Sequence, residues 1–240
     1  MLRLVLIVGG LETALFVATR LIIAHWSAWE WQPELLRTAC RAAVAFALWY
    51  FFRAIIFSGV PDRKGIRHPL FFSAVAVLLS VPFLIGNWAF MGPVTRSVFA
   101  ATSIVVAVHE EFLFRGIMQT LIADRLGTLK AIGITSAVMT VWHIGALPLN
   151  GFNFWQVFSI SCMVGLIYAA TQSIWLVVAL HALYDASWSA TPVLPSPLAW
   201  HWGSVLLLVA LMLTWWWVRS AYWPNPSLQG TLRQKAAQRP

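Results

Sequence analysis

Charge is what this chain has least of. Charged residues make up 10% of its 240 positions, where a soluble domain carries roughly 25%. With 60% hydrophobic residues, the apolar surface exceeds what one soluble core of this length can hide, so an ordinary globule is excluded and a bilayer becomes the solvent. Cysteine is nearly missing as well. Cys40 and Cys162 each lie inside an apolar run, which excludes a disulfide framework and a cysteine-based metal site. No internal repeat, no soluble second domain and no basic stripe interleaved with exposed aromatics is visible, and the last of these argues against nucleic acid as a partner.

What the chain does have is 15 Trp, 15 Phe and a mean hydropathy of +0.76. A spanning helix needs about 20 mainly apolar residues, and that criterion predicts an all-α polytopic membrane protein of about eight transmembrane helices, over 4–24, 41–59, 70–91, 98–122, 131–149, 155–171, 173–190 and 201–218. Turn chemistry punctuates them: Pro61 to Pro69, Gly92-Pro93, Asp124 to Gly127, Pro148 to Gly151 and the Pro192, Pro195, Pro197 stretch. The first run continues too far and contains Glu12 and Arg20, so it reads as a retained helix and not a cleaved signal. Residues 1–222 form a single transmembrane domain in this reading, and 223–240 a disordered polar tail.

Alternating the loops puts Arg3, Arg63, Lys64, Arg67, Arg125, Lys130, Arg219, Arg233, Lys235 and Arg239 on one face, and leaves Arg37, Arg41 and Arg96 on the other. Lys and Arg are retained on the cytoplasmic side. The segregation therefore predicts both termini in the cytoplasm, with the chain in the inner or plasma membrane of a cell.

Ionisable groups within a span cost at least about 2.5–3.5 kcal/mol each on insertion scales, so each asks for a partner or a purpose. Three spans carry them: His109-Glu110-Glu111 to Arg115 in the fourth, His143 in the fifth, and His181 to Asp185 in the seventh. At a rise of about 1.5 Å per residue, Glu110, His143 and Asp185 all fall roughly 18 Å into their spans, and His181 about 12 Å. Three helices thus bring polar groups to one level. Helical spacing pairs Glu111 with Arg115 and turns Glu110 about 100° away, so Glu110 is the carboxylate left over. A poorly solvated carboxylate is a better proton acceptor than one in water, which suits a general base acting on water. His181 and Asp185 share a face, and Asp185 can orient the ring or, if protonated, donate a hydrogen bond. His143 comes from another helix toward the same water, while His109 is expected to pack or hydrogen-bond locally.

Glu110-Glu111-x-x-x-Arg115, a His in the next span, and His181-x-x-x-Asp185 two spans later resemble the three motifs of the CAAX-processing and bacteriocin-processing (CPBP, also called Abi) family of intramembrane endopeptidases. The segment Gly165 to Asp185, with Gln172-Ser173-Ile174-Trp175 before the His, is similar to that family too, and the likeness runs from about residue 70 to 190. It implies an eight-helix peptide hydrolase acting on a peptide or lipidated protein in the membrane. Glu110 would activate water with help from His143, His181 and the residue at 185 would stabilise the oxyanion, and Glu111 and Arg115 would hold the architecture. Two departures stand out. Met139 lies where the second motif usually has Phe, so the aromatic role passes to Trp142 or is dispensable. Asp185 stands where the third motif often ends in Asn.

Other protease chemistries fail on motif. Leu113 occupies the position that a zinc-binding H-E-x-x-H needs for its second His. Tyr184-Asp185 has no Gly-x-Gly-Asp partner, and no Gly-x-Ser-Gly is present. Two His with one or two Glu can still ligate zinc. Glu110 with His partners needs no ion, so a metal-free site is the reading favoured here. A noncatalytic membrane scaffold and a proton-coupled transporter are the alternatives, since Glu and His within spans also serve as proton relays.

Overall fold

A computed structural model describes residues 2–26, 30–59, 61, 64–85, 92–144, 151–190 and 197–222. The described residues are almost wholly helical. The chain forms α1 (Leu2–His25), α2 (Trp31–Ile56), a short 3₁₀ turn (Lys64–Arg67), α3 (Pro69–Ile85), α4 (Pro93–Glu111), a π-helical stretch (Phe112–Gln119), α5 (Thr120–Leu126), α6 (Thr128–Trp142), α7 (Gly151–Thr171), α8 (Ile174–Ala190) and α9 (Pro197–Ala221). Each of the eight expected segments overlaps a helix, the fourth the continuous α4–π–α5 run; 86–91 of the third and 145–149 of the fifth lie outside the described residues, and His143 and Ile144 follow the end of α6. The tail after residue 222 and the Pro148 to Gly151 and Pro192 to Pro195 turns lie wholly or partly outside the described residues.

Among the described residues, five helical stretches are long and apolar enough to cross a membrane: Leu6–His25, Trp31–Ile56, Pro93–Leu126, Asn153–Thr171 and His201–Ala221. Together they make this an integral membrane protein. The segments at α3, α6 and α8 are shorter, at 17, 15 and 17 residues. Half of the most apolar window of Pro93–Leu126, and of Asn153–Thr171, is buried, against 11% for Leu6–His25. The fourth and seventh helices are thus central, while α1 packs at the periphery against α2. Around the centre, α4 packs on α2 and α8, α7 on α6 and α9, and α3 on α9. Phe46, Tyr50, Phe72, Val141 and Trp216 point outward, an arrangement that lipid solvates and water would not.

Local chemistry explains the boundaries that matter for the site. Pro93 opens α4 directly after an extended Gly92, where its missing N–H costs nothing. Gly127 separates α5 from α6 at φ 86°, a left-handed position that suits glycine. Inside the bundle, the hydroxyls of Thr135, Thr140, Thr171 and Thr214 donate to the carbonyls of Ala131, Ser136, Ile167 and Ala210, four residues back, so these polar groups are satisfied within their own helices.

Two features depart from the sequence-based expectation. The second helix starts ten residues earlier than predicted, at Trp31, because Glu34 sits within its first turns and pairs with Arg37 and Arg41. These two arginines therefore belong to a helix, and not to an exposed loop. The fourth span is not a uniform α-helix either. After Glu111 it widens into π geometry, where Thr120 donates to the carbonyl of Arg115 five residues back, at 3.1 Å. Glycine at 116 permits α2 to approach this stretch: a Cβ there would meet Ile56 side-chain atoms at 3.1 to 3.3 Å.

Candidate active site

The π stretch begins beside the cluster of buried ionisable side chains. Such π turns are rare and occur often at functional sites. Immediately before it, α4 presents two adjacent carboxylates in different directions. Glu111 is wholly buried and faces inward: its Oε2 lies 3.2 Å from Arg115 Nε, and its Oε1 lies 2.7 Å from His181 Nδ1. Arg115 extends the chain of contacts, donating to the carbonyl and hydroxyl of Ser161 on α7, both at 3.0 Å, and to Met139 Sδ on α6 at 3.1 Å. Four helical elements are tied together by this one buried pair.

Glu110 is turned toward two imidazoles. Its Oε1 lies 4.0 Å from His143 Nε2, and its Oε2 lies 3.8 Å from His181 Nε2. Both separations are too long for a direct hydrogen bond and short enough for a shared water to span. Among the described residues no side chain hydrogen-bonds to Glu110, and its Oε2 is buried without a partner. His181 Nε2 also stands 3.4 Å from Asp185 Oδ2, one helical turn along α8. The four residues Glu110, His143, His181 and Asp185, drawn from α4, the end of α6 and α8, are thus brought together around the two Nε2 atoms.

The imidazoles are oriented by their other nitrogens. His143 Nδ1 lies 2.8 Å from the Met139 carbonyl. A carbonyl only accepts, so Nδ1 carries the proton, and in the neutral ring Nε2 is left as an acceptor facing Glu110. His181 Nδ1 is held by Glu111, a contact across 70 positions that helical spacing does not reveal. Local spacing predicts Asp185 as the orienting carboxylate. The structure gives that work to Glu111 and leaves Asp185 beside Nε2, about one-third exposed. Met139, where the resembled motif has an aromatic, is buried against the Arg115 guanidinium, while Trp142 is 39% exposed.

His109 also departs from expectation. It is buried and pairs with Glu12 on α1 at 2.9 Å, a long-range contact that pins the peripheral helix, not a local one. Among the described residues no group of three or more His, Cys, Asp or Glu is arranged to hold a metal ion.

The likeness to a known family spans residues 92–187, which contain α4, the π stretch, α5, α6, α7 and most of α8. These residues match the Rce1-like family of type II CAAX prenyl endopeptidases. The Rce1-like segment covers every residue of the arrangement above and agrees with the resemblance carried by the motifs. It leaves α1, α2, α3 and α9 outside. No curated protein and no solved structure matches the chain.

Proposed function

We propose that this protein is an intramembrane endopeptidase of the CAAX-processing type in which Glu110 is the general base. The observation that carries the reading is the contrast between neighbours: Glu111 is consumed by Arg115 and His181, whereas Glu110 has no hydrogen-bonding side chain and faces two Nε2 atoms at 4.0 and 3.8 Å. A water bridging Glu110 Oε1 and His143 Nε2 donates one hydrogen bond to each, which aims a lone pair at the peptide carbonyl of a bound substrate. Glu110 takes the proton as the oxygen attacks, and later delivers it to the leaving amine.

The tetrahedral intermediate needs donors for its oxyanion. His181 Nε2–H is one. Because Nδ1 already points at Glu111, the ring acts in this role as the imidazolium, with protons on both nitrogens. Asp185, 3.4 Å from the same ring, is a second donor only when its carboxyl carries a proton. The substrate enters as extended chain, since a helix sequesters its scissile amides. In this reading the protein acts on a peptide or lipidated protein, no cofactor takes part in the reaction, both termini face the cytoplasm, and the chain resides in an inner or plasma membrane.

The deciding test is hydrolysis of prenylated and unmodified peptides by the purified protein and by Glu110→Gln. The variant keeps the shape and removes the base, so cleavage should fall by a factor of about 10²–10⁴, the range for a positioned acid–base group. A variant that cuts as fast as the parent removes Glu110 from the mechanism.

A further inference from the structure

Three successive side chains close α4 before the π stretch, and the outer two are held by other helices. Successive positions of an α-helix project about 100° apart. His109 Nε2 meets Glu12 Oε1 of α1 at 2.9 Å. Glu111 meets His181 of α8 at 2.7 Å and Arg115 at 3.2 Å. Glu110, between the two in sequence, faces His143 and His181. The rotation of α4 at Glu110 is therefore fixed from both sides, by α8 through Glu111 and by α1 through His109. The α1 contact comes from a helix outside the family match.

Stability does not account for the Glu12–His109 pair. α1 packs on α2 and is otherwise little buried; Glu12 and Leu15 are its buried residues among those described. Both members of the pair are buried, and Glu12 Oε2 and His109 Nδ1 have no hydrogen-bond partner among the described residues. Well-packed apolar side chains of similar volume at both positions hold two helices together at least as well, and leave no polar atom unpaired. What an apolar contact does not supply is direction. A hydrogen bond at 2.9 Å fixes where the His109 ring points, and with it the last turn of α4. His109 also lies within electrostatic reach of the Glu110 carboxylate.

We infer that Glu12 is a positioning residue for the base: by holding His109 it fixes the rotation of α4 that aims Glu110 at the two Nε2 atoms. The inference rests on the endopeptidase reading. Glu12 touches none of the reacting atoms and acts through His109, so α1 belongs to the working part of the enzyme although its own surface faces outward.

The test uses the purified full-length protein in detergent micelles, with kcat, KM and Tm measured for three variants. Glu12→Gln keeps a group that hydrogen-bonds Nε2 in either tautomer, and should hold kcat within about threefold of the parent. Glu12→Leu should lower kcat about 10- to 100-fold, the loss expected from a displacement of the base by about 1 Å, while KM stays within about twofold. The double variant Glu12→Leu, His109→Leu replaces the pair by an apolar contact. It should melt no lower than the parent and still show the low kcat. A double variant that melts and cuts like the parent overturns the inference, and so does a Glu12→Gln protein as impaired as Glu12→Leu. A crystal structure of Glu12→Leu supplies a readout that needs neither activity nor equal melting: the Glu110 carboxylate should move by about 1 Å or more from its place beside the imidazoles, and an unmoved carboxylate overturns the inference. If the parent cuts no peptide, the endopeptidase reading fails, while that displacement still decides whether Glu12 positions Glu110.

Discussion

Glu110 and Glu111 are chemically identical neighbours with opposite expected consequences when neutralised. In Glu111→Gln, Arg115 loses the carboxylate 3.2 Å from its Nε, and both side chains are essentially inaccessible, at 1% and 0% exposed. The surface value for an ion pair, ~0–1 kcal/mol, therefore does not apply. Removing one partner of a buried pair leaves an uncompensated charge and costs about 3–5 kcal/mol. For a chain of this size each kcal/mol corresponds to roughly 2–4 °C, so the expected fall in Tm is about 6–20 °C. Glu110→Gln breaks no protein hydrogen bond, and its Tm should stay within about 2 °C of the parent while cleavage is lost. Thermal unfolding in detergent micelles, read by tryptophan fluorescence beside the peptide assay, separates the two. The double variant Glu111→Gln, Arg115→Met removes both charges and should regain at least half of the lost stability. The reasoning fails if the two single variants destabilise equally, or if the double variant is worse than Glu111→Gln alone.

Three further outcomes follow from the same arrangement of residues. Asp185→Asn supplies a donor beside the 3.4 Å His181 contact without needing a proton, so it should keep or raise kcat, whereas Asp185→Ala should lower it by about 10²-fold, the loss expected for one oxyanion donor; an Ala variant with parental kcat would remove Asp185 from that role. Incubation with a chelator should leave peptide cleavage unchanged, and loss that zinc restores would replace the proposed mechanism with a metal-dependent one. Gly116→Leu forces a side chain against Ile56, whose atoms lie 3.1 Å from a Cβ at that position, and should cost about 1–3 kcal/mol by overpacking. Adding Ile56→Ala should relieve part of that loss, and no relief would mean that the π stretch itself cannot accept a side chain there.

The helices are legible because a bilayer imposes one solution: every backbone group must be satisfied within a segment, so apolar length alone locates them. The site is legible as far as helical periodicity reaches. Glu111 to Arg115 and His181 to Asp185 are each one turn apart, and position along a helix gives depth. Periodicity does not report which residues of different helices touch, so the Glu111–His181 bond and the Glu12–His109 pair have no signal in spacing. Apolar run length also misleads where charges pair. Glu34, Arg37 and Arg41 break the hydropathy of α2 and read as loop, yet their mutual contacts make them tolerable in a helix.

That exception bears on how the site is organised. A helix interior is a poor place for an acid, and this chain holds several of its eight acids there. Glu12 is matched by His109, Glu34 by two arginines, and Glu111 by Arg115 and His181. Each pairing joins neighbouring helices or clamps a helix in place, and each is explained by the partner it holds. Glu110 is the buried carboxylate that such contacts do not explain, since the nearest ring nitrogens stop at 3.8 and 4.0 Å. A purely structural network would close those gaps to hydrogen-bond length, as it does 2.7 Å away at Glu111 on the other side of the same imidazole. In the proposed mechanism a water bridges Glu110 and the imidazoles from the side, and the rigid pairings around them hold the three groups short of direct contact.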